Sequence, residues 1–520
     1  MNTAEFLQMS SYVVPDREAL VSGDTRITYQ EMVERTNRLA NALQDMGMSR
    51  GDKLAVMAVN SAEYVETYYA CAKLGVALVP LNYRAKNEEL TYMVNTSDAS
   101  TLFVGDRYLE LLSHIRGEIP GVKNFVCFER AVDGMQTYAE LMAKGSPEDL
   151  YVEVDDNDAT ILIFTSGTTA MPKGVVLTYL TLTAYVINTM EPAMPEVHDV
   201  TMVTVPLFHI AGATAMMTSI WGGRTLVILP QYEPELYLQT VQKEKVTHSF
   251  VVPTMLKRLM EHPKFSDYDL SSLKLITYGA APMPYEVARK AVETFHCGLM
   301  NAYGQTESTS SLTYLGPDDH EIHGLPDAER EKKLHRLRSV GRPMDDVEVA
   351  ILNEKDEILA MGEEGEICVS GARVMREYFK QEEATQAAIH DGWLHTGDVG
   401  YMDEDRYLFI TGRKKDIIIR GGENVSPGEI EAVLEEHHAV DEVAVIGVPD
   451  VEWGEEIKAI VVLKSGQTAT ADELRAYSKS RLASYKVPRY ITFVDELLRN
   501  ALGKVLKTDI RKQHGTPDER

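Results

Sequence analysis

Residues Ile161-Leu162-Ile163-Phe164 form a short apolar run of the kind that makes a buried strand, and the run empties directly into Thr165-Ser166-Gly167-Thr168-Thr169-Ala170-Met171-Pro172-Lys173-Gly174. A loop of this composition is built to hold phosphate. Its small residues let backbone N–H groups approach oxygens closely, and Thr165, Ser166, Thr168 and Thr169 add hydroxyl donors. Lys173 supplies a mobile positive charge. A Walker-type loop is excluded, because that motif needs Gly-Lys-Ser/Thr running straight into a helix, whereas here Pro172 precedes the lysine and Gly174 follows it.

The remaining sequence sets this loop in an α/β protein of more than one domain. A chain of 520 residues exceeds what one hydrophobic core usually serves. With 44% hydrophobic and 25% charged residues it is of ordinary globular composition, which excludes fibrous and disordered classes. Thr28 and Glu31 spell a capping box, and Met32, Val33, Thr36, Leu39, Ala40 and Leu43 make one helical face ending near Gly47. A strand is expected at 54–59, a helix capped by Asn60 or Ser61 and closed by Gly75, then a strand at 76–81. The same alternation recurs at 102–104, 226–229 and 275–278, so the larger part is read as layered α/β with largely parallel sheets. After about residue 340 shorter strands, at 348–352 and 365–369, predict a β-rich subdomain. Charge concentrates at Arg413-Lys414-Lys415-Asp416, and beyond it Ser426, Pro427 and Glu429 mark a capped helix start. Strands at 443–448 and 457–463 and a helix at 471–482 complete a small α+β unit. The expected division is therefore residues 1–414 and a mobile C-terminal domain, 415–520, with the hinge at Lys415.

The net charge of −27 argues against nucleic acid or an anionic membrane as partner. An anion-binding site in such a chain must gather cations locally, and Lys173, Arg413, Lys414, Lys415, Arg420 and Lys504 are the candidates. Cys71, Cys127, Cys297 and Cys368 are widely spaced without a Cys-x-x-Cys pair, which reads as reduced thiols. The first residues lack a basic stretch followed by an apolar core, and no apolar run reaches membrane-spanning length. A cytoplasmic protein is expected, with peripheral membrane contact and a homodimer left open.

A second motif, Asn301-Ala302-Tyr303-Gly304-Gln305-Thr306-Glu307, lies downstream of the phosphate loop, followed by Thr396-Gly397-Asp398, by Gly412-Arg413 and by Arg499-Asn500-Ala501-Leu502-Gly503-Lys504-Val505. In this combination the chain resembles the adenylate-forming superfamily, and within it the AMP-forming acyl-CoA synthetases, over nearly its whole length. The resemblance implies substrates ATP and CoA, a small carboxylic acid, and Mg²⁺. It implies that Tyr303 stacks on adenine, Thr306 meets the α-phosphate, and Glu307 and Thr165 neighbour the metal; a carboxylate is the hard oxygen ligand Mg²⁺ prefers. Gly279-Ala280-Ala281-Pro282 becomes the small-residue wall beside the purine, Asp398 the acceptor of both ribose hydroxyls, and Arg413 its partner. Gly421, Gly422 and Asn424 match the segment lining the pantetheine tunnel, where missing side chains admit close backbone approach.

Lys504 matches the adenylation lysine. The acid and the triphosphate are both anions, and two unit charges ~4 Å apart repel by about 4 kcal/mol at an effective dielectric of ~20. Mg²⁺ and Lys504 would cancel that repulsion. His209, in Pro206-Leu207-Phe208-His209, reads either as a satisfied core histidine or, by the resemblance, as a neighbour of the acyl carboxylate. The implied reaction has two steps: the acid takes the AMP half of ATP and releases pyrophosphate, and the CoA thiol then displaces AMP. Between them the small domain rotates, a hinge-type switch.

Several positions depart from the family pattern: Ala170 stands for glycine, Tyr179 for histidine, and Leu498 for proline. Gly304 replaces the tryptophan of acetate-restricted relatives and predicts an open acyl pocket, and Ala213 replaces an aromatic gate of some long-chain relatives. Medium- to long-chain fatty acids are the expected substrates, with alicyclic or aryl acids as the alternative. A non-catalytic nucleotide-binding regulator and an adenylation-only enzyme are the competing classes. His320 and His323 are expected in a solvated loop across 317–338, and His437 and His438 at a helix end, none of the four as a metal ligand.

Overall fold

The computed structural model describes residues 1–165, 171–499 and 504–517. The local signals act as their chemistry requires. Thr28 accepts the Glu31 amide while Glu31 returns to the Thr28 amide, starting helix Tyr29–Asp45. Ser61 caps helix Ala62–Leu74, and Gly75 ends it in the left-handed region at φ 75°.

The strands assemble into four sheets, of nine, eight, five and five strands. In the nine-stranded sheet, strands Val200–Val203, Thr225–Ile228, His248–Val251, Leu275–Gly279 and Gly298–Gln305 run parallel. In the eight-stranded sheet Lys53–Met57, Ala77–Pro80, Thr101–Val104 and Ala159–Thr165 do the same. Helices Tyr29–Asp45, Ala62–Leu74 and Ile210–Trp221 share one apolar cluster with strands of both sheets, through Leu39, Tyr68, Met217, Leu226 and Ile163. The chemistry-bearing segments lie at the carboxyl ends of the parallel strands, where α/β sheets open toward ligands. Thr165 ends one strand, Gly279 another, and Gln305 a third.

The β-rich part holds Glu348–Leu352, Gly365–Ser370, Trp393–Met402 and Leu408–Arg413, all antiparallel. The fourth sheet is built from Ile418–Arg420, Glu423–Val425, Val440–Asp450, Gly454–Leu463 and Tyr490–Phe493, with helices Pro427–Glu435 and Ala471–Lys479. Its core is its own, centred on Ile430, Leu434, Val445, Val461 and Leu474.

Three expectations need correction. Helix Pro427–Glu435 begins at the expected residue, but Ser426 does not cap it; its hydroxyl donates to the Thr411 carbonyl and ties the helix to strand Leu408–Arg413. The stretch 317–338 is not a loop, because it contains helices Pro317–His320 and Asp327–Arg336. His320 is buried within it as a satisfied core residue, bonded to the Tyr278 hydroxyl at 2.7 Å and the Gly316 carbonyl at 2.7 Å. Among the described residues no helix is long and apolar enough to cross a membrane.

Candidate active site

The two strands that flank the glycine- and hydroxyl-rich segment are paired with one another. Strand Ala159–Thr165 pairs antiparallel with Lys173–Thr178, so Thr165 and Lys173 stand opposite one another at the mouth of that segment. Ser166, Gly167, Thr168, Thr169 and Ala170 lie outside the described residues. Lys173 Nζ sits 4.7 Å above the Tyr378 ring, and the Tyr378 hydroxyl donates to Glu307 Oε1 at 2.9 Å. Cation, aromatic and carboxylate thus form one stack that aims Lys173 and fixes Glu307. The Tyr378 phenol is pushed up by burial and by Glu307, so it remains a donor. Tyr378 carries no local motif; it reaches the site because Glu377–Tyr378 adds a short strand beside Lys173–Thr178.

The second cluster gathers on strand Gly298–Gln305. Tyr303 donates to Asp398 Oδ2 at 2.8 Å, and Arg413 Nε meets Asp398 Oδ1 at 2.7 Å. Asp398 and Arg413 are direct cross-strand partners, so their pairing follows from register alone. Gln305 Nε2 donates to the Thr396 carbonyl at 3.1 Å, bringing the two motifs together. Asn301, Ala302 and Thr306 are buried beside them. The Tyr303 phenol is driven well above its ordinary value by burial and then by Asp398.

Gly279 lies opposite Ala302, and a Cβ there would stand 2.2 Å from the Ala302 carbonyl oxygen. Ala280 beside it adopts φ 64°, and Thr309 and Ser310 are left-handed too, at 51° and 77°. Non-glycine residues in this region store strain, and three gather here, around the Tyr303 to Thr306 turn. Ala281 follows Ala280 in the same wall.

Gly304 has a backbone reason as well. A Cβ at this position would meet the Ser310 carbonyl oxygen at 1.8 Å, where the strand pairing shifts register between Tyr303 and Gly304. Close backbone approach by itself requires glycine here.

His209 begins helix Ile210–Trp221 and accepts the Ala211 amide on Nδ1 at 3.2 Å, which leaves the ring proton on Nε2. Burial, and after it the charge of Lys504, pushes this imidazole down to about 4. Lys504 itself is pushed down to about 8 by burial, then by Arg413 and Lys415, against the opposing pull of Asp398 and Asp416. Lys504 thus lies within electrostatic range of Asp398, Arg413, Lys415, Asp416 and His209. It arrives on a hairpin whose arms, Arg499 and Val505, pair antiparallel; residues 500–503 lie outside the described residues. Arg511 Nη1 to Asp416 Oδ1 at 2.9 Å and Lys257 Nζ to Asp441 Oδ1 at 2.6 Å brace the arrangement.

Other predicted residues stand elsewhere. Gly421, Gly422 and Asn424 are exposed at the hairpin of the C-terminal sheet. Gly421, at φ 61°, backs directly onto the Trp453 ring, where a Cβ would stand 2.6 Å away. Arg420 does not serve the anion site; it is paired with buried Glu456 at 2.5 Å and stacked on Trp453. Tyr179 is fully buried and donates to the Ala72 carbonyl at 2.8 Å, a packing role.

Two family models match this chain: that of AMP-binding enzymes over residues 7–379 and that of the AMP-binding enzyme C-terminal domain over 429–504. A feruloyl-CoA synthase of an Amycolatopsis species is 35% identical, covering 96% of this chain and 96% of its own. A long-chain-fatty-acid–CoA ligase of Mycobacterium tuberculosis is 32% identical over 99% and 98%. Among solved structures, the o-succinylbenzoate CoA synthetase of Bacillus subtilis bound to its acyl-adenylate superposes with a TM-score of 0.83, at 30% identity over 99% and 98%. With matches of this extent the chain belongs to the AMP-binding enzymes, in the adenylate-forming acyl-CoA synthetase family.

Proposed function

We propose that the chain activates a medium- to long-chain fatty acid to its CoA thioester through an acyl-adenylate, consuming ATP and releasing AMP and pyrophosphate. The observation that carries this reading is the position of Lys504 beside Asp398, Arg413 and His209. Lys173 and the hydroxyl-rich segment 166–170 take the outer phosphates. Asp398 accepts the ribose hydroxyls, held in place by Arg413 and Tyr303. Lys504 then neutralises charge gathering on the α-phosphorus as the carboxylate attacks. His209, neutral with its proton on Nε2, offers a donor to the incoming carboxylate without adding a charge.

Glu307 and Thr165 suit a magnesium ion, which takes one or two protein oxygens and completes its shell with substrate phosphates. When bound it would screen the phosphate charge. The Tyr378 bond to Glu307 Oε1 leaves the second carboxylate oxygen to serve it.

For the second step, residues 415–520 rotate about Lys415, Lys504 withdraws, and Gly421, Gly422 and Asn424 line the thiol path. The division at 414/415 is supported by the separate core of the C-terminal sheet.

The acyl group enters beside His209. Val205, Ala211 and Val252 form an apolar cluster there with Phe250, Met255 and Ala280, and none of the six carries a polar side chain. Such a wall selects hydrocarbon, at about 0.8 kcal/mol per buried CH₂. An aryl acid is the second reading, favoured by the feruloyl-CoA synthase relative. Acid-dependent AMP formation with and without CoA, read together with thioester products over an acid panel, tests both. AMP release indifferent to CoA, with no thioester, rejects the ligase.

A further inference from the structure

A cluster of metal-ligating side chains stands on the β-rich part, behind the ribose-binding segment. Strands Ile389–His390 and Trp393–Met402 form a tight hairpin, with Asp391 at φ 50° and Gly392 at φ 84° in its turn. His390 pairs with Trp393, so His390 and His395 project from the same face, and their rings stack at 3.8 Å. Asp356 reaches them from a second turn, with Oδ2 3.5 Å from His390 Nε2 and Oδ1 3.9 Å from His395 Nε2. One ligand atom from each of the three lies within 4.8 Å of the others.

The decisive group is His395. Its side chain is only 9% exposed, and Nε2 has no hydrogen-bond partner among the described residues. On the opposite side of the ring, Nδ1 lies 3.2 Å from Glu366 Oε2, which also accepts Lys414 Nζ at 2.9 Å. A carboxylate there can only accept, so Nδ1 is held as the donor and Nε2 is turned toward Asp356. Nε2 and the Asp356 oxygen face one another at a spacing too long for a hydrogen bond, with no partner for the nitrogen among the described residues. A metal ion held between them would satisfy both. The carboxylate behind the histidine is moreover the arrangement that orients imidazole ligands in metal sites.

We propose that Asp356, His390 and His395 form a binding site for a divalent transition metal of the zinc class. Two imidazoles and a carboxylate suit such an ion better than Mg²⁺ or Ca²⁺, which prefer oxygen alone. A splay of the partly exposed His390 ring from its stacked position would bring both Nε2 atoms onto one point. Cys368, the direct cross-strand partner of His395, lies on the opposite, Nδ1 side of the ring with Sγ at 3.4 Å, and so stands outside this ligand set. Glu366 also accepts the Gly397 amide at 3.1 Å, so the site is built against the Asp398 segment yet separate from the magnesium position at Glu307.

The test uses the full chain, without a histidine tag and treated with chelator, titrated with Co²⁺ and followed by visible absorption. One Co²⁺ per chain with a low-symmetry ligand-field spectrum, displaced by Zn²⁺, is expected. Asp356→Asn and His390→Ala should each weaken binding at least tenfold. Both are exposed positions, and asparagine tolerates the left-handed backbone of Asp356, φ 60°. Glu307→Gln should leave this binding intact. Binding that survives both of the first two substitutions, or that disappears with Glu307→Gln, would overturn the assignment.

Discussion

Lys173 and Lys504 carry the same charge, but the protein holds them by opposite means. Lys173 begins a strand paired along its length, and its ammonium rests on the Tyr378 ring. It is a fixed part of the floor. Lys504 precedes Val505, whose single bridge to Arg499 stands apart from the sheets, and burial, followed by the charges of Arg413 and Lys415, depresses its basicity to about 8. One lysine is positioned by packing, the other is admitted against electrostatic resistance. The contrast teaches that a binding charge is built in, whereas a charge needed for one step is kept only weakly welcome until an anion arrives.

The largest expected effect separates the two lysines directly. Lys504→Ala should lower adenylate formation by roughly 10²- to 10³-fold, as loss of a transition-state donor does, while thioester formation from supplied acyl-adenylate stays near its original rate. Lys173→Ala should instead weaken ATP binding, seen as a raised KM. Equal damage to both half-reactions in Lys504→Ala would break the comparison.

Next in size is a structural control. Gly304→Ala forces a methyl against the Ser310 carbonyl and should destabilise the fold by about 1–3 kcal/mol, measured by denaturant unfolding. Acyl selectivity is better tested at Ala211. Ala211→Phe should shift preference to shorter acids, and an unchanged chain-length profile would remove the apolar cluster from the pocket.

The pH prediction sharpens the comparison. Lys504 without nucleotide titrates near 8, and a bound triphosphate raises that value, so ATP binding above pH 8 should take up a proton that binding at pH 7 does not. Calorimetry in buffers of different ionisation enthalpy reads this uptake, which should vanish in Lys504→Ala and persist in Lys173→Ala. The sign for the empty protein is the reverse of the usual salt bridge. Because the lysine is depressed when docked, the undocked state binds more protons between about pH 8 and the ordinary lysine range, ~10.4. Docking is therefore strengthened as pH rises through that window. The smallest effect is Tyr378→Phe, which releases Glu307 Oε1 and should cost about 1 kcal/mol, or a few-fold in ATP-dependent rate.

Much of the site was legible because its residues belong to contiguous runs. Asp398 and Arg413, fifteen residues apart in sequence, could be named before they were seen to pair. Tyr378 and Glu366 could not, since each acts through a strand partner remote in the chain and neither has a distinguishing neighbourhood. His209 was left between two readings, and the structure supports the first, a buried ring that caps a helix. The backbone constraint at Gly304 was not legible, because a missing side chain looks the same in sequence whether it leaves room for ligand or for backbone. The 317–338 stretch was misread because its charge hid helix Asp327–Arg336, which has no buried side chain.

Ala280 carries a last implication. An alanine at φ 64° forfeits about 1 kcal/mol that glycine would recover. A single-methyl deletion, Ala280→Gly, thus offers a more durable protein to anyone selecting for heat resistance. Comparing nucleotide turnover in that variant with the parent protein would measure what the methyl contributes.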